Sequence, residues 1–413
     1  MHVKISFVSI FLLIGFLGYQ KAEGAVIDPD SLENALVTAK KYENKVKTLH
    51  ELSNYHLYSN PVKSQEYLIT GLKTARDNGD SIAVANTYLL LSQLGALQGK
   101  YEEALRYDKK YLEIFALKDD KAKIAQGLNN IGDDYMNLGF YNDAYDYYQR
   151  ARKMAVEIDD DLMLAITSYN VGTVLKQMGQ LEQAKKYILT SMDLSREIDD
   201  VEGIAYSLKD LGEIYRMESD YDNSLEALNE SLSISDSLNI SILKPDIYRM
   251  LAETHCAIDS LDASLGYYQS ALEIYERVGN NKGIGDSYLG MGRVNIDLDK
   301  DSEAEEFLER SLAISLKEKY GELARDTYEQ LSKLYEKRSN YPEALRLHKK
   351  LKSLEDSLFS TKKNEQFAKL QLLHETEQKD AEIRLIMEQV SNEEFKSNVL
   401  VVILALAAVI LFN

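Results

Sequence analysis

The stretch from Asn129 to Ala151 reads NNIGDDYMNLGFYNDAYDYYQRA. Two small residues in it, Gly132 and Ala144, stand twelve positions apart. The same pair returns every forty residues. One column runs Ser92, Gly132, Gly172, Gly212, Ala252, Gly292 and Ser332, each directly after an apolar residue such as Ile131 or Leu211. The other runs Ser64, Ala104, Ala144, Ala184, Ser224, Ser264, Ala304 and Ala344. Two antiparallel helices can approach closely only where a side chain is nearly absent from the crossing point, so small residues held at a fixed spacing mark a repeated helix-to-helix contact.

Each unit therefore reads as two helices. In the quoted unit the first covers 125–138 and the second 142–156. The second helix carries Ala144, Tyr148, Ala151 and Ala155 at helical spacing, which makes one apolar face. Composition agrees: four prolines and no Trp in 413 residues, 45% apolar and 28% charged, fit a folded helical chain. Between units lie DNGD from Asp77, KDD from Lys118, IDDD from Ile158 and IDD from Ile198. They lack the spacing and the central Gly of a calcium loop, and they suit turns and helix N-caps.

The run of apolar-Gly, Tyr, Gly-x-Tyr-x-x-Ala and a later Ala in the quoted stretch resembles the tetratricopeptide repeat. The forty-residue period resembles the long-helix variant found in kinesin light chains and many bacterial signalling proteins. The resemblance covers 45–356 in about eight units. The first and last deviate, with Leu52 in place of the small residue and Leu351 in place of the later Ala, as end repeats with one unpartnered face do. A lone capping helix is expected over 31–43. The fold class is then all-α, a right-handed superhelical solenoid of helix pairs.

That resemblance implies a concave groove lined by the first helices and holding an extended or helical peptide. The inward positions include Asn129, Asn130, Tyr169, Asn170, Lys209, Arg249 and Arg293. The Asn residues resemble those that related repeats set against a ligand backbone, where an amide offers both donor and acceptor; several of them can equally bridge adjacent helices. Lys176, Lys209, Arg216, Arg249 and Arg293 can form a positive track favouring a carboxylate or acidic peptide. Asp133, Glu213, Asp246 and Glu253 occupy neighbouring columns and can neutralise it.

No catalytic pattern emerges. The six His lack metal-ligand spacing, and no phosphate-binding loop, zinc-protease or nucleophile-elbow motif is present. His374 lacks the continuation of a phospho-accepting motif, and His255, in the repeat's Tyr column, reads as a packing residue. Cys256 allows no internal disulfide and reads as a small buried residue. The expectation is a protein that is not an enzyme and has no cofactor and no metal. A net charge of −19 opposes binding to a phosphate backbone, so nucleic acid is not an expected partner.

The ends read as envelope signals. Residues 1–24 have a short polar start with Lys4, an apolar run from Ile5 to Tyr19 and the small pair Ala22 and Gly24 around Glu23, the pattern of a signal peptide, or alternatively an uncleaved anchor. Residues 357–396 read as a charged stalk helix that can dimerise as a coiled coil, or instead fold back onto the last repeats. Residues 398–413 read as a membrane helix, a short or truncated one. The apolar run from Val399 to Phe412 gives about 21 Å of helix, against about 30 Å of hydrocarbon. The layout resembles the periplasmic sensor region of bacterial membrane signalling proteins whose output is a histidine kinase, a helix-turn-helix regulator or a diguanylate cyclase, here without the output module. It implies a repeat array in the periplasm, anchored in the inner membrane by the C-terminal helix, binding a peptide or protein as the sensory half of a signal-transduction protein. The alternative is a scaffold for envelope complexes that signals nothing.

Overall fold

A computed structural model describes residues 29–358, and every regular element among them is helical. The segments expected as signal peptide and membrane helix, and all but the first two residues of the expected stalk, lie outside the described residues. Among the described residues no helix is long and apolar enough to cross a membrane. The described chain falls into two compact units, 29–180 and 181–358.

The first unit contains α1 (Pro29–Thr38), α2 (Tyr42–His56), α3 (Pro61–Asp77), α4 (Ser81–Leu97), α5 (Tyr101–Lys118), α6 (Lys121–Leu138), α7 (Tyr141–Glu157) and α8 (Asp161–Gln177). The lone helix expected over 31–43 is α1, and it stops at Thr38. Lys41 is extended, at φ −102° and ψ 141°, so the chain turns before α2. No side chain of α1 is buried. Its Glu33 is held instead by Lys63 at 2.9 Å and by the Tyr67 hydroxyl at 3.0 Å.

The second unit contains α9 (Leu181–Glu197), α10 (Val201–Met217), α11 (Tyr221–Ser237), α12 (Lys244–Ala257), α13 (Leu261–Val278), α14 (Asn281–Asp297), α15 (Asp301–Lys317), α16 (Gly321–Lys337) and α17, helical over 341–358. α12 starts late. Residues 241–243 form a turn, and Pro245 opens the helix, where its missing N–H costs nothing.

The corners explain why the helices stop where they do. From α3 onward each helix-to-helix turn passes through one residue in the left-handed region, and several then present a side-chain cap. Asp119 has φ 54°, and Asp120 accepts the Lys123 N–H at 3.1 Å. Asp159 and Asp160 repeat the arrangement with Met163, and Asp199 and Asp200 repeat it with Gly203. The acidic runs thus serve as turns and N-caps, and among the described residues no group of three or more His, Cys, Asp or Glu could hold a metal.

Packing follows the two small columns. A Cβ on Gly132 would lie 2.6 Å from the Tyr148 ring, and one on Gly212 would lie 2.6 Å from Leu228 and 3.3 Å from the Ser224 carbonyl. Where the partner is Ser, its hydroxyl crosses the gap. Ser224 Oγ donates to the Gly212 carbonyl at 2.8 Å and Ser264 Oγ to the Ala252 carbonyl at 2.7 Å. Ala144, Ala151 and Ala155 of α7 are fully buried, and Tyr148 is nearly so. Within the first unit α2 approaches α4, and α6 approaches α8. Within the second, α10 approaches α12, α12 approaches α14, and α14 approaches α16. Second helices of successive pairs make no comparable approach among the described residues. The first helices therefore line the tighter face of each unit.

Candidate functional site

The expected site residues divide between the two units, five in the first and four in the second. In the first, α6 and α8 meet through their amides. Asn170 Nδ2 donates to Asn129 Oδ1 at 2.9 Å, and Asn129 Nδ2 donates to Asp133 Oδ2 at 3.3 Å. Asp133 also accepts from the Tyr148 hydroxyl at 2.7 Å and from Asn170 Nδ2 at 3.5 Å. Asn130 turns the other way and donates to Asp108 Oδ1 on α5 at 3.4 Å. The Asn residues do bridge neighbouring helices, as one reading of the sequence had it. Tyr169 and Lys176 of α8 are buried.

Behind this chain sits a cluster that the sequence reading missed. Asp108, Asp133 and Asp134 are all buried, at 2%, 9% and 3% exposure. Ser92 donates to Asp108, and Asp108 is hydrogen-bonded to Asp134. Two carboxyl groups can share a hydrogen bond only if one carries a proton. Burial pushes the Asp108 carboxyl up to about 6, with Ser92, Asp134 and Asn130 opposing the rise. Burial pushes Asp133 up to about 8 against its bond to Tyr148. Burial and the Asp108 charge raise Asp134 well above the usual range, with Lys109 pulling weakly the other way. The Lys109 ammonium is held by the Tyr135 hydroxyl at 3.1 Å. One signal was available in the sequence. Asp108 occupies a column otherwise filled by Leu68, Tyr148, Ile188, Leu228, Tyr268, Leu308 and His348, so a charge there breaks an almost wholly apolar pattern.

In the second unit the expected positive track meets acidic partners. Lys209 is completely buried and lies 3.0 Å from Asp210 Oδ1. Arg216 pairs with Glu253 at 3.2 Å, and Arg249 reaches the other oxygen of the same carboxylate. Burial works against the Arg249 charge, yet Glu253, Asp246 and Glu213 outweigh it and hold the guanidinium firmly protonated. Asp246 in turn accepts from the Tyr275 hydroxyl at 2.8 Å. Arg293 is different: it is exposed and forms no ion pair among the described residues. The reason is local. Arg293 stands in the column that holds Asp133, Glu213 and Glu253, and the column four residues earlier, which supplies Lys209 and Arg249, holds Leu289 here, so the pairing of Arg249 with Glu253 is not repeated.

The family model for the tetratricopeptide repeat matches residues 123–197, 163–237 and 245–317. The gap at 238–244 falls on the turn before Pro245. Human tetratricopeptide repeat protein 29 is 25% identical over 115 residues, which is 26% of this chain and 24% of that protein. Solved structures extend the likeness. The apo quorum sensor NprR from B. thuringiensis aligns over 79% of this chain and 92% of its own, with TM-score 0.61 and 15% identity. The Rap conjugation gene regulator of plasmid pLS20, in complex with a Phr peptide, aligns over 81% and 95%, with TM-score 0.57 and 14% identity. A signal transduction ATPase with numerous domains and a tetratricopeptide repeat sensor, from Pyrococcus horikoshii, aligns over 79% of this chain and 53% of its own, with TM-score 0.58 and 17% identity. At such identities the likeness is one of fold. Tetratricopeptide repeats thus occupy at least residues 123–237 and 245–317, within an all-helical repeat solenoid.

Proposed function

We propose that this chain is an extracytoplasmic repeat protein that binds a peptide or protein partner along its first-helix faces and is tethered to the inner membrane by its C-terminal apolar run. It serves as the sensory half of a signal-transduction protein. Binding, not catalysis, is its role. The observation that carries the binding reading is the Asn170–Asn129–Asp133 chain. These side chains join consecutive first helices on the inner face through single, long or shared hydrogen bonds, and a peptide backbone can replace them one for one. Support for a peptide comes from the fold-level likeness to a Rap regulator solved with a Phr peptide. Support for export and tethering comes only from the N-terminal signal pattern and the run from Val399 to Phe412.

The paired cations of the second unit shape the ligand. Lys209, Arg216 and Arg249 are already met by Asp210 and Glu253, so charge alone does not select a strongly acidic peptide.

A random-peptide display selection on the full chain tests the binding reading. Enriched peptides should lose binding in Asn129→Ala and Asn170→Ala. Enrichment that both variants retain would place the ligand elsewhere. A reporter fused after residue 358 that is active only outside the cytoplasm is the expected result for export, and cytoplasmic activity would reverse it.

A further inference from the structure

The second unit completes an arrangement that the first unit leaves open. Glu253 on α12 takes Arg249 from its own helix and Arg216 from α10. Three forty-residue repeats earlier, the place of Glu253 is held by Asp133, that of Arg249 by Asn129 and that of Arg216 by Ala96. The carboxyl is kept and both of its cations are gone. Asp133 forms no ion pair among the described residues, although only 9% of it is exposed.

The bonds that stand in for the cations are weak ones. Asn129 Nδ2 donates to Asp133 Oδ2 at 3.3 Å, and Asn170 Nδ2 donates to Oδ1 at 3.5 Å. Both come from neutral amides at the long limit of hydrogen bonding. They fall one on each carboxyl oxygen, the pattern in which a guanidinium fork holds a carboxylate through two parallel N–H donors. The one close partner is the Tyr148 hydroxyl, which donates to Oδ1 at 2.7 Å from the second helix α7. No group around Asp133 neutralises it. Asp108 faces it from α5 and Asp134 from α6, while α7 offers the Tyr148 phenol and α8 the neutral Asn170. Lys109 bears on Asp134 and lies against Tyr135. Folding has already stripped most water from Asp133, so an arriving cation does not have to desolvate that carboxyl again.

We propose that the peptide bound on the first-helix face places an arginine side chain against Asp133, its guanidinium displacing the Asn129 and Asn170 amides. This rests on the peptide-binding reading above and adds the chemistry of the ligand. The displaced amides turn to the peptide backbone, where each offers a donor and an acceptor. Burial pushes the free Asp133 carboxyl up to about 8, so the empty site keeps a proton at neutral pH. Forming the ion pair ionises the carboxyl, and the proton passes to solvent. Affinity therefore rises by about tenfold per pH unit below about 8 and levels off above it.

The test is a random-peptide display selection on the full chain at pH 8.5, followed by titration with the enriched peptides made synthetically. Those peptides should share an arginine at one position. Exchanging it for citrulline, its neutral isostere, should weaken binding about tenfold or more in the unchanged chain. In Asp133→Asn, which keeps an acceptor for Tyr148, the same exchange should cost less than about twofold. Calorimetry in buffers of different ionisation enthalpy should show about one proton released per peptide at pH 7, and none in Asp133→Asn. Enriched peptides that need Asn129 and Asn170 but share no basic position overturn this inference and leave the peptide-binding reading standing. An arginine whose exchange costs as much in Asp133→Asn pairs with another carboxylate, which also overturns it. A selection that enriches nothing overturns both.

Discussion

The two units solve one problem in opposite ways. Two columns on the first helices lie four residues apart, and both units place polar groups there. In the first unit they hold Asn129 and Asp133; in the second they hold Lys209 with Glu213, and Arg249 with Glu253. The second unit neutralises its carboxylates with buried or half-buried cations. The first meets them with neutral amides, a phenol and a shared proton. The difference teaches that a repeat fixes where polar groups face each other, while the residue types decide whether charge is balanced by an ion pair or by protonation.

The sharpest way to separate the units is pH. The Asp133 carboxyl is raised from its ordinary 3.8 to about 8, and Asp108 to about 6. A raised folded-state value means the folded form prefers the proton. The stabilisation is therefore fully present below about 4 and is lost as pH rises through about 6 and then about 8. For Asp133 alone the span corresponds to roughly 6 kcal/mol as an upper bound, since relaxation and water entry reduce it. Amide hydrogen exchange should show α5 to α8 losing protection between pH 5 and pH 9, while α10 to α13 hold theirs. Asp133→Asn, which mimics the protonated group, should flatten the response of the first unit. Equal pH responses in the two units would break the comparison.

The next largest effect belongs to the second unit. Asp210→Ala leaves the Lys209 ammonium buried without that carboxylate, at an expected cost of about 3 kcal/mol. Replacing both, Lys209→Met with Asp210→Leu, should recover most of it, because a well-packed apolar pair of similar volume avoids both desolvation penalties. Local exchange protection in α10 is the proper measurement, as long repeat arrays do not unfold as one two-state unit. A double variant as weak as the single one would mean the pair does more than balance charge.

What was legible in the sequence follows from the same physics. The fold was readable because the crossing points demand small residues, and Gly132 against Tyr148 or Gly212 against Ser224 leaves no room for a choice. Gly132→Ala and Gly212→Ala should each cost about 2 kcal/mol by overpacking, equally in the two units. The site was readable only in part. Asn129, Asn170 and the acidic columns were visible as polar residues at fixed positions. The bond between Asp108 and Asp134 was not, because it joins α5 to α6 and depends on how the two helices are rotated. The Lys209–Asp210 pair was hidden for a related reason. Adjacent helical residues point about 100° apart, and pairing is ordinarily sought three or four positions away.

The smallest expected effect lies at the corners, and there the units differ again. The left-handed positions of the first unit are Gly79, Gly99, Asp119, Gly139, Asp159 and Gly179. Those of the second are Asp199, Ser219, Asn239, Asp259, Gly279, Asp299, Lys319 and Ser339. Glycine has no Cβ to clash in this region, Asp and Asn tolerate it through local hydrogen bonds, and Ser or Lys gain neither relief. Lys319 has φ 59° and Ser219 has φ 62°, so both carry the steric cost. Ser219→Gly and Lys319→Gly should stabilise the second unit by about 0.5–1 kcal/mol each, the gain being reduced by the extra freedom of glycine in the unfolded chain. Gly139→Ala in the first unit should destabilise by a similar amount. Amide exchange protection in the helices flanking each corner gives the signs for the three variants. If Lys319→Gly lowers stability, its side chain supplies something at that corner that outweighs its backbone strain.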